Sequence, residues 1–508
     1  MNYGFVIDNR KCIGCHACSV ACKTENHVPL GVNRTWVKYV EKGRFPQVRR
    51  HFQVTRCNHC AEPPCVEICP VTAMFQRPDG IVDFDSGRCI GCKACMQACP
   101  YDAIYIDPAS HTAAKCNYCA HRVEVGLQPA CVIVCPEQAI VAGDLDRPGS
   151  PIAQLVREHD VAVRRPEAGT EPKLYYVDGE PGALVPTAAR HEAFYLWSER
   201  NEKLHGGGAA YPADSPFAQP DVLAAYDVGH ERPWGWQVPA YLWLKSIGSA
   251  PLLLPAVAVA LAWIPFSRIR EEIMAVVALV FTAATTFMLV ADLTRPERFY
   301  RVLLTPQRRS WLARGGIILM AYSGLAGLFL LARLADWSAA ATLLLWTSLV
   351  LGLLAALYTA FLFAQCKGRD LWQTPLLGLH LIVQAVMAGA AVLACLPGAG
   401  GGTERTRALA AWALLVCLAL HLLIVIEEVL VPHGTINSRY AARLITRGPY
   451  RVLFWLGVIL IGVLSPGLLL VLGAWTFMVP ALAGLLALAG LLAFEWCFVM
   501  AAQKVPNS

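Results

Sequence analysis

The sequence predicts an α+β, cysteine-rich N-terminal domain followed by an all-α bundle of eight transmembrane helices. Composition, cysteine placement and hydropathy each point there. Of 508 residues, 56% are hydrophobic and only 16% are charged, with a net charge of +6. Soluble globular chains are nearer a quarter charged and under half apolar, so an ordinary soluble protein is excluded. Sixteen of the twenty cysteines fall between Cys12 and Cys135, whereas Cys366, Cys395, Cys417 and Cys497 are scattered through apolar sequence. From about Pro239 onward, apolar runs recur at the length a helix needs to cross a bilayer, ~20 residues. The expected domains are residues 1–145, a mostly irregular linker over 146–237, and a membrane domain over 238–508.

The cysteines form four groups. Cys12, Cys15, Cys18 and Cys22 are spaced C-x2-C-x2-C-x3-C, and Cys89, Cys92, Cys95 and Cys99 repeat that spacing. Cys57, Cys60, Cys65 and Cys69 widen one gap to four residues, and Cys116, Cys119, Cys131 and Cys135 widen it to eleven. A cubane iron–sulfur cluster needs four converging thiolates. A tight C-x2-C-x2-C loop supplies three, and the fourth crosses from a partner group, as in bacterial ferredoxins. Pro70, Pro100 and Pro136 stop the helix behind three of the fourth cysteines. Zinc, the alternative, favours paired C-x2-C units, often with His, and three cysteines in seven residues suit it poorly.

Crossing pairs the groups. Groups two and three are adjacent and read as one two-cluster, ferredoxin-like unit, with groups one and four forming a second around it. The expected ligand sets are Cys57, Cys60, Cys65 with Cys99; Cys89, Cys92, Cys95 with Cys69; Cys12, Cys15, Cys18 with Cys135; and Cys116, Cys119, Cys131 with Cys22. Four 4Fe–4S clusters in about 135 residues read as a wire. RCNHC, PVTA and RCIGCKACMQACPYDAI make residues 3–145 resemble the four-cluster electron-transfer subunit of the DMSO reductase (molybdopterin oxidoreductase) family. That resemblance implies the same crossed pairing.

The linker is rich in Pro, Gly and Ala. KLYYV (173–177) reads as a short strand, and a spacer is favoured over a segment that wraps the domain or docks a partner. Eight spans follow, at about 239–264, 273–291, 312–333, 339–365, 373–396, 408–431, 451–473 and 475–500. The first is the weakest, because it carries Lys245 and several prolines. The start, MNYGFVIDNRKCIGC, has no cationic stretch leading into an apolar core, so an exported domain is not expected. Thirteen Lys and Arg, among them Arg295, Arg298, Arg309 and Arg443, lie in loops on the cysteine-domain side, against five on the other. Positive residues gather in cytoplasmic loops, so the expected location is a bacterial inner membrane with the cysteine domain in the cytoplasm.

Ionisable residues inside spans are costly and usually face a cavity or a partner. Here they are Lys245, Asp292, His380, His421, Glu427, Glu428 and Glu495, with Tyr358, Gln365 and Gln384 beside them. Hydrogen-bond donors for two carbonyls and groups that relay protons suit a quinone, either menaquinone or ubiquinone. The candidate quinone residues are Lys245, Asp292, Tyr358, His380, His421 and Glu428. His380 and His421 also raise a b-type haem, which is disfavoured because lone span histidines more often bond to neighbours. DLTRPERFY (292–300) and SWLARGG (310–316), with YLWLKS in the first span, are similar to the NrfD/PsrC-type quinone-interacting membrane subunits. That resemblance implies eight helices, no haem and a pocket at Lys245, Asp292 and Tyr358.

The function expected is electron transfer between a separate catalytic subunit and the quinone pool. The chain itself is not catalytic toward the substrate, since no molybdopterin-binding domain fits in it. The resemblance implies a molybdopterin-containing partner. Bilayer and quinone are the other partners, and nucleic acid is not expected. The alternative is a redox-linked proton-translocating subunit.

Overall fold

The computed structural model describes residues 1–191, 215–397, 402–431, 434–473 and 476–508. The N-terminal part is built on two four-stranded sheets. Strands β1 (Tyr3–Asp8), β2 (Thr35–Arg44), β3 (Gln47–Arg56), β4 (Met74–Gln76), β5 (Val82–Phe84), β6 (Ile104–Ile106), β7 (Ala113–Lys115), β8 (Ile140–Asp144), β9 (Val161–Ala162), β10 (Leu174–Val177), β11 (Arg190–His191) and β12 (Val222–Tyr226) occur in that order. The first sheet runs β8-β1-β10-β9 and the second β11-β12-β2-β3, and β4–β5 and β6–β7 are separate hairpins. Phe5, Val6 and Ile7 of β1 are all buried, as expected of a central strand covered on both faces.

Residues 146–237 are more than the irregular spacer expected. They supply a helix over Pro151–Glu158 and strands β9, β10, β11 and β12. KLYYV becomes β10, which pairs in parallel with β1, while β12 pairs antiparallel with β2. These strands are two to five residues long, too short for hydrophobic periodicity to mark them. The part of this stretch over 192–214 lies outside the described residues.

Among the described residues, eight helices are long and apolar enough to cross a membrane: Gln237–Ala260, Arg268–Ala291, Trp311–Leu334, Ser338–Gln365, Leu377–Ala394, Glu404–Leu430, Leu453–Leu472 and Met478–Lys504. The chain is thus a multi-pass membrane protein. The first span is interrupted between Ser249 and Leu253, just ahead of Pro255. Spans one and two, three and four, five and six, and seven and eight pack as neighbours, and the eighth also lies against the fifth. The first, fifth and eighth are mostly buried, whereas the second, third and seventh turn most of their surface outward. Lys245, His380, Gln384 and Glu495 all stand on the buried three, where a charge avoids lipid.

The two domains share one apolar core, running from Ile68 and Met74 through Trp234 and Phe363 to Phe498. Polar contacts lock the seam. The Ser310 hydroxyl, which caps the third span, donates to Ile68 O at 2.6 Å, and Gln307 Nε2 donates to Val66 O at 2.7 Å. The tail after the eighth span returns to the cysteine domain, where Asn507 N donates to Asp102 at 3.0 Å and Arg165 donates to the Asn507 side chain at 2.8 Å.

Within the bundle, the seventh and eighth spans touch backbone to backbone at Gly462 and Gly490. A Cβ on Gly490 would overlap the Gly462 Cα. Small residues permit this approach between helices in lipid. Gly490→Leu should therefore destabilise the detergent-solubilised protein by about 1–3 kcal/mol, the usual cost of overpacking, read as an earlier loss of helical signal in a denaturant titration.

Candidate functional site

Each C-x-x-C turn is shaped by a residue in the left-handed region just before its second cysteine: Gly14 (φ 70°), His59 (φ 43°), Gly91 (φ 70°) and Tyr118 (φ 63°). Glycine adopts this conformation freely. His59 and Tyr118 are held in it by packing: both are buried and both stack against Phe5, with ring centroids 6.2 and 4.3 Å away. The turn aims backbone N–H groups at sulfur. His59 N donates to Cys57 Sγ at 3.5 Å and Gly91 N to Cys89 Sγ at 3.4 Å. The fourth cysteines receive similar bonds, from Ala73 N to Cys69 at 3.1 Å and from Ala139 N to Cys135 at 3.3 Å.

The sulfurs gather in four places. Cys60 and Cys65 face Cys57 and Cys99. Cys92 and Cys95 face Cys89 and Cys69. Cys12 faces Cys15 and Cys135, with Cys18 beside Cys12. Cys22 faces Cys119 and Cys131, with Cys116 beside Cys22 and Cys119. The places also lie near enough to one another for charge to be felt between them, from Cys131 to Cys18, from Cys57 to Cys116 and from Cys65 to Cys95.

Among the described residues, no three His, Cys, Asp or Glu side chains converge as the ligands of a single metal ion do. Two of the places border a small hollow instead, of about 20 Å³ among Cys69, Cys89, Cys92 and Cys95, and of about 10 Å³ among Cys22, Cys116, Cys119 and Cys131. Four sulfurs around a small void fit a cubane, whose body separates its ligands. Burial pushes the Cys18 thiol up to about 11 and those of Cys22 and Cys99 up to about 12. An iron centre reverses that preference by taking the thiolate charge.

DLTRPER, at the end of the second span, grips the Cys89–Cys99 loop and the chain on either side of it, at Ser86 and at Ser110–His111. Asp292 forms an ion pair with Lys93 at 3.0 Å. Thr294 Oγ1 donates to His111 O at 2.6 Å, Arg295 donates twice to Ser110 O at 2.7 and 2.9 Å, and Arg298 donates to Ser86 O and Cys89 O at 2.8 and 3.0 Å. Gly91 is obligatory here for a second reason, because a Cβ would collide with Thr294. Trp234 closes the seam: its indole N–H donates to Cys92 O at 3.1 Å, and its ring stacks on Trp372 with centroids 5.5 Å apart.

The polar span residues fall into two further places. Lys245 is buried, donating to Thr359 Oγ1 at 2.6 Å and Ala356 O at 3.0 Å, with its ammonium 5.1 Å from the centre of the Tyr358 ring. Tyr241, one turn before Lys245 on the same helix face, has Tyr358, Glu495 and Asp292 as neighbours. Between spans five, six and eight, His380 Nδ1 pairs with Glu428 at 2.7 Å and His380 Nε2 with His421 Nδ1 at 2.8 Å. Direct contact of the two rings leaves no room for an iron between them. Glu428 stands where the sixth span loosens to i→i+5 bonding over Ile426–Leu430, a winding that recurs at functional sites. Glu495 links the two places, facing Lys245, Glu428 and Gln384.

Sequence reasoning passed over Lys93, Tyr241 and Thr359, and also Glu271, which forms a largely buried pair with Arg333 at 2.5 Å toward the far end of the bundle. Tyr241 carried a signal, its i, i+4 spacing to Lys245. Lys93 and Glu271 depend on partners 199 and 62 residues away in sequence and carried none.

Residues 48–145 match the family model described as a 4Fe–4S dicluster domain, so iron–sulfur clusters belong to the N-terminal part. A tetrathionate reductase subunit from Salmonella typhimurium is 44% identical over 201 residues, covering 39% of this chain and 80% of the relative. The iron–sulfur subunit of the arsenate respiratory reductase of a Shewanella species is 36% identical over 225 residues, covering 35% and 96%. A polysulfide reductase polypeptide from Wolinella succinogenes is 37% identical over 185 residues, covering 36% and 97%. Those relatives align with about the first two fifths of the chain, and the remainder has its own match: with residues 227–507, more than half its length, fitting the family model "Polysulphide reductase, NrfD", the chain thus belongs to the NrfD family.

Proposed function

We propose that this chain passes electrons between a separate molybdopterin-containing catalytic subunit and membrane quinone, through four 4Fe–4S clusters held by the ligand sets given above. Such clusters would supply one-electron transfer without protons. The observation that carries the reading is the unbroken line of sulfur places from the surface to the bundle. Cys15 is the one exposed member of the sixteen. From it, neighbouring sulfurs lead through Cys12 and Cys18 to Cys131, from Cys116 to Cys57, and from Cys65 to Cys95. The last place lies against the Lys93–Asp292 pair at the foot of the second span. A catalytic partner would meet the Cys15 face. The relatives named for tetrathionate, polysulfide and arsenate reductases support a partner of that kind.

At the other end, Lys245, Tyr358 and Asp292 with Tyr241 are proposed to bind the quinone head group. Lys245 and Tyr241 offer N–H and O–H donors to its carbonyls. His380, His421 and Glu428, joined through Glu495, are placed to deliver or accept the accompanying protons. The charge bias of the loops supports a bacterial inner membrane with the cluster domain in the cytoplasm. One feature favours a second reading, a proton-translocating subunit: ionisable groups stand buried on both halves of the bundle, the His380 network nearer the clusters and the Glu271–Arg333 pair beyond.

Two experiments test the proposal. Cys95→Ser should lower the iron content below sixteen per chain and remove or convert one signal in the electron paramagnetic resonance spectrum; a full iron count with an unchanged spectrum would contradict the ligand sets. Lys245→Ala should slow quinone-linked turnover by about 100-fold, the scale of a lost proton donor, while reduction or oxidation of an artificial dye by the complex persists. Unaltered quinone kinetics would remove Lys245 from the head-group site.

A further inference from the structure

We propose that Arg56 and Lys115 are a crossed pair of redox-tuning cations, each raising the reduction potential of the cluster bound by the other's cysteine group. This rests on the reading of the thiolates as cluster ligands. All four cysteine groups open with a basic residue and a cysteine: Lys11-Cys12, Arg56-Cys57, Arg88-Cys89 and Lys115-Cys116. Lys11 and Arg88 are exposed, whereas Arg56 and Lys115 are wholly buried. The difference follows from their elements, since Arg56 ends β3 and Lys115 ends β7, both inside the domain.

Their side chains exchange places. Arg56 precedes Cys57, yet its Nη1 donates to Cys131 Sγ at 2.9 Å, and Cys18 and Cys116 are its other charged neighbours. Lys115 precedes Cys116, yet its Nζ lies 3.6 Å from Cys57 Sγ, with Cys65 next and then Cys116 and Asp83 also facing it. Backbone acceptors complete the lysine, through Val82 O and Cys116 O. The arginine is left incomplete: Nε and Nη2 are buried with no partner. A guanidinium cannot shed its proton in a protein, and burying it is strongly unfavourable unless an anion faces it. The empty donors of Arg56 point to such an anion beside Cys131, at the hollow that Arg56 itself lines.

A cluster that accepts one electron from its neighbour gains one negative charge and no proton. A fixed cation at contact distance favours that reduced form, more so in a dry interior, and nearby charge and hydrogen bonds to sulfur are what set cluster potentials. The two inner places are shielded from water, which would otherwise make them resist reduction. Arg56 and Lys115 offset that resistance.

The test is a potentiometric titration of the purified full-length chain, followed by electron paramagnetic resonance, with signals assigned by Cys131→Ser and Cys57→Ser. Arg56→Gln should lower the midpoint of the cluster that Cys131→Ser disturbs, and Lys115→Gln that of the cluster Cys57→Ser disturbs. Each shift should be at least tenfold in the reduction equilibrium, about 59 mV for one electron. Arg56→Lys and Lys115→Arg keep the charge and should move the midpoints by less than half as much. Unchanged midpoints with full iron, equal shifts in charge-keeping and charge-removing variants, or iron loss in all four variants would overturn the proposal. A shift confined to the cluster of the cation's own cysteine group would overturn the crossing. Wild-type protein without iron would instead overturn the wire itself.

Discussion

The grip of the DLTRPER segment on the Cys89–Cys99 loop is the constraint on which the rest of the molecule depends. It is made almost wholly of hydrogen bonds from long side chains to backbone carbonyls, with one ion pair between Lys93 and Asp292. Carbonyl acceptors fix position without requiring particular side chains in return, so the loop keeps its sulfur geometry while it is held. Around that grip lies a shared apolar core with stacked Trp234, Trp372 and Phe363. A water-filled gap between the domains would cost more than lost stability, because it would lengthen the path between the last sulfurs and the helices.

The cysteine domain meets a second physical demand, that of holding many sulfurs out of water. Backbone N–H groups aimed by left-handed turns and buried cations both favour charged sulfur, and at Cys57 the two act together. The helical domain meets the matching demand of holding ionisable groups out of lipid. It does so by burying them between helices and pairing them, as with His380 of the fifth span and Glu428 of the sixth. Both domains therefore treat charge in the same way, keeping it inside and giving it a partner.

The cysteine groups, the strand KLYYV and the eight spans were legible because each is a local pattern: a spacing, an alternation or an apolar run. The polar span residues were legible for the same reason. What the sequence withheld is tertiary. Arg56 and Arg88 look alike, each a basic residue ahead of a cysteine, and only the fold buries one and exposes the other. Asp292 reads as a span residue, but its partner Lys93 is supplied by a distant loop. The stretch 146–237 reads as a spacer, because strands as short as β9 and β11 borrow their stability from the sheets they join.

The polypeptide leaves the cysteine domain once, enters the bundle, and is fastened to that domain again through Asn507 and Asp102. Both ends of the bundle are thus tethered to the same module, and the seam forms within one molecule at a high effective concentration. Synthesis from a single message yields the two modules in a fixed one-to-one ratio, with neither left orphaned in the membrane. The outer face around Cys15 is relieved of any part in holding the modules together, and its side chains are free to diverge.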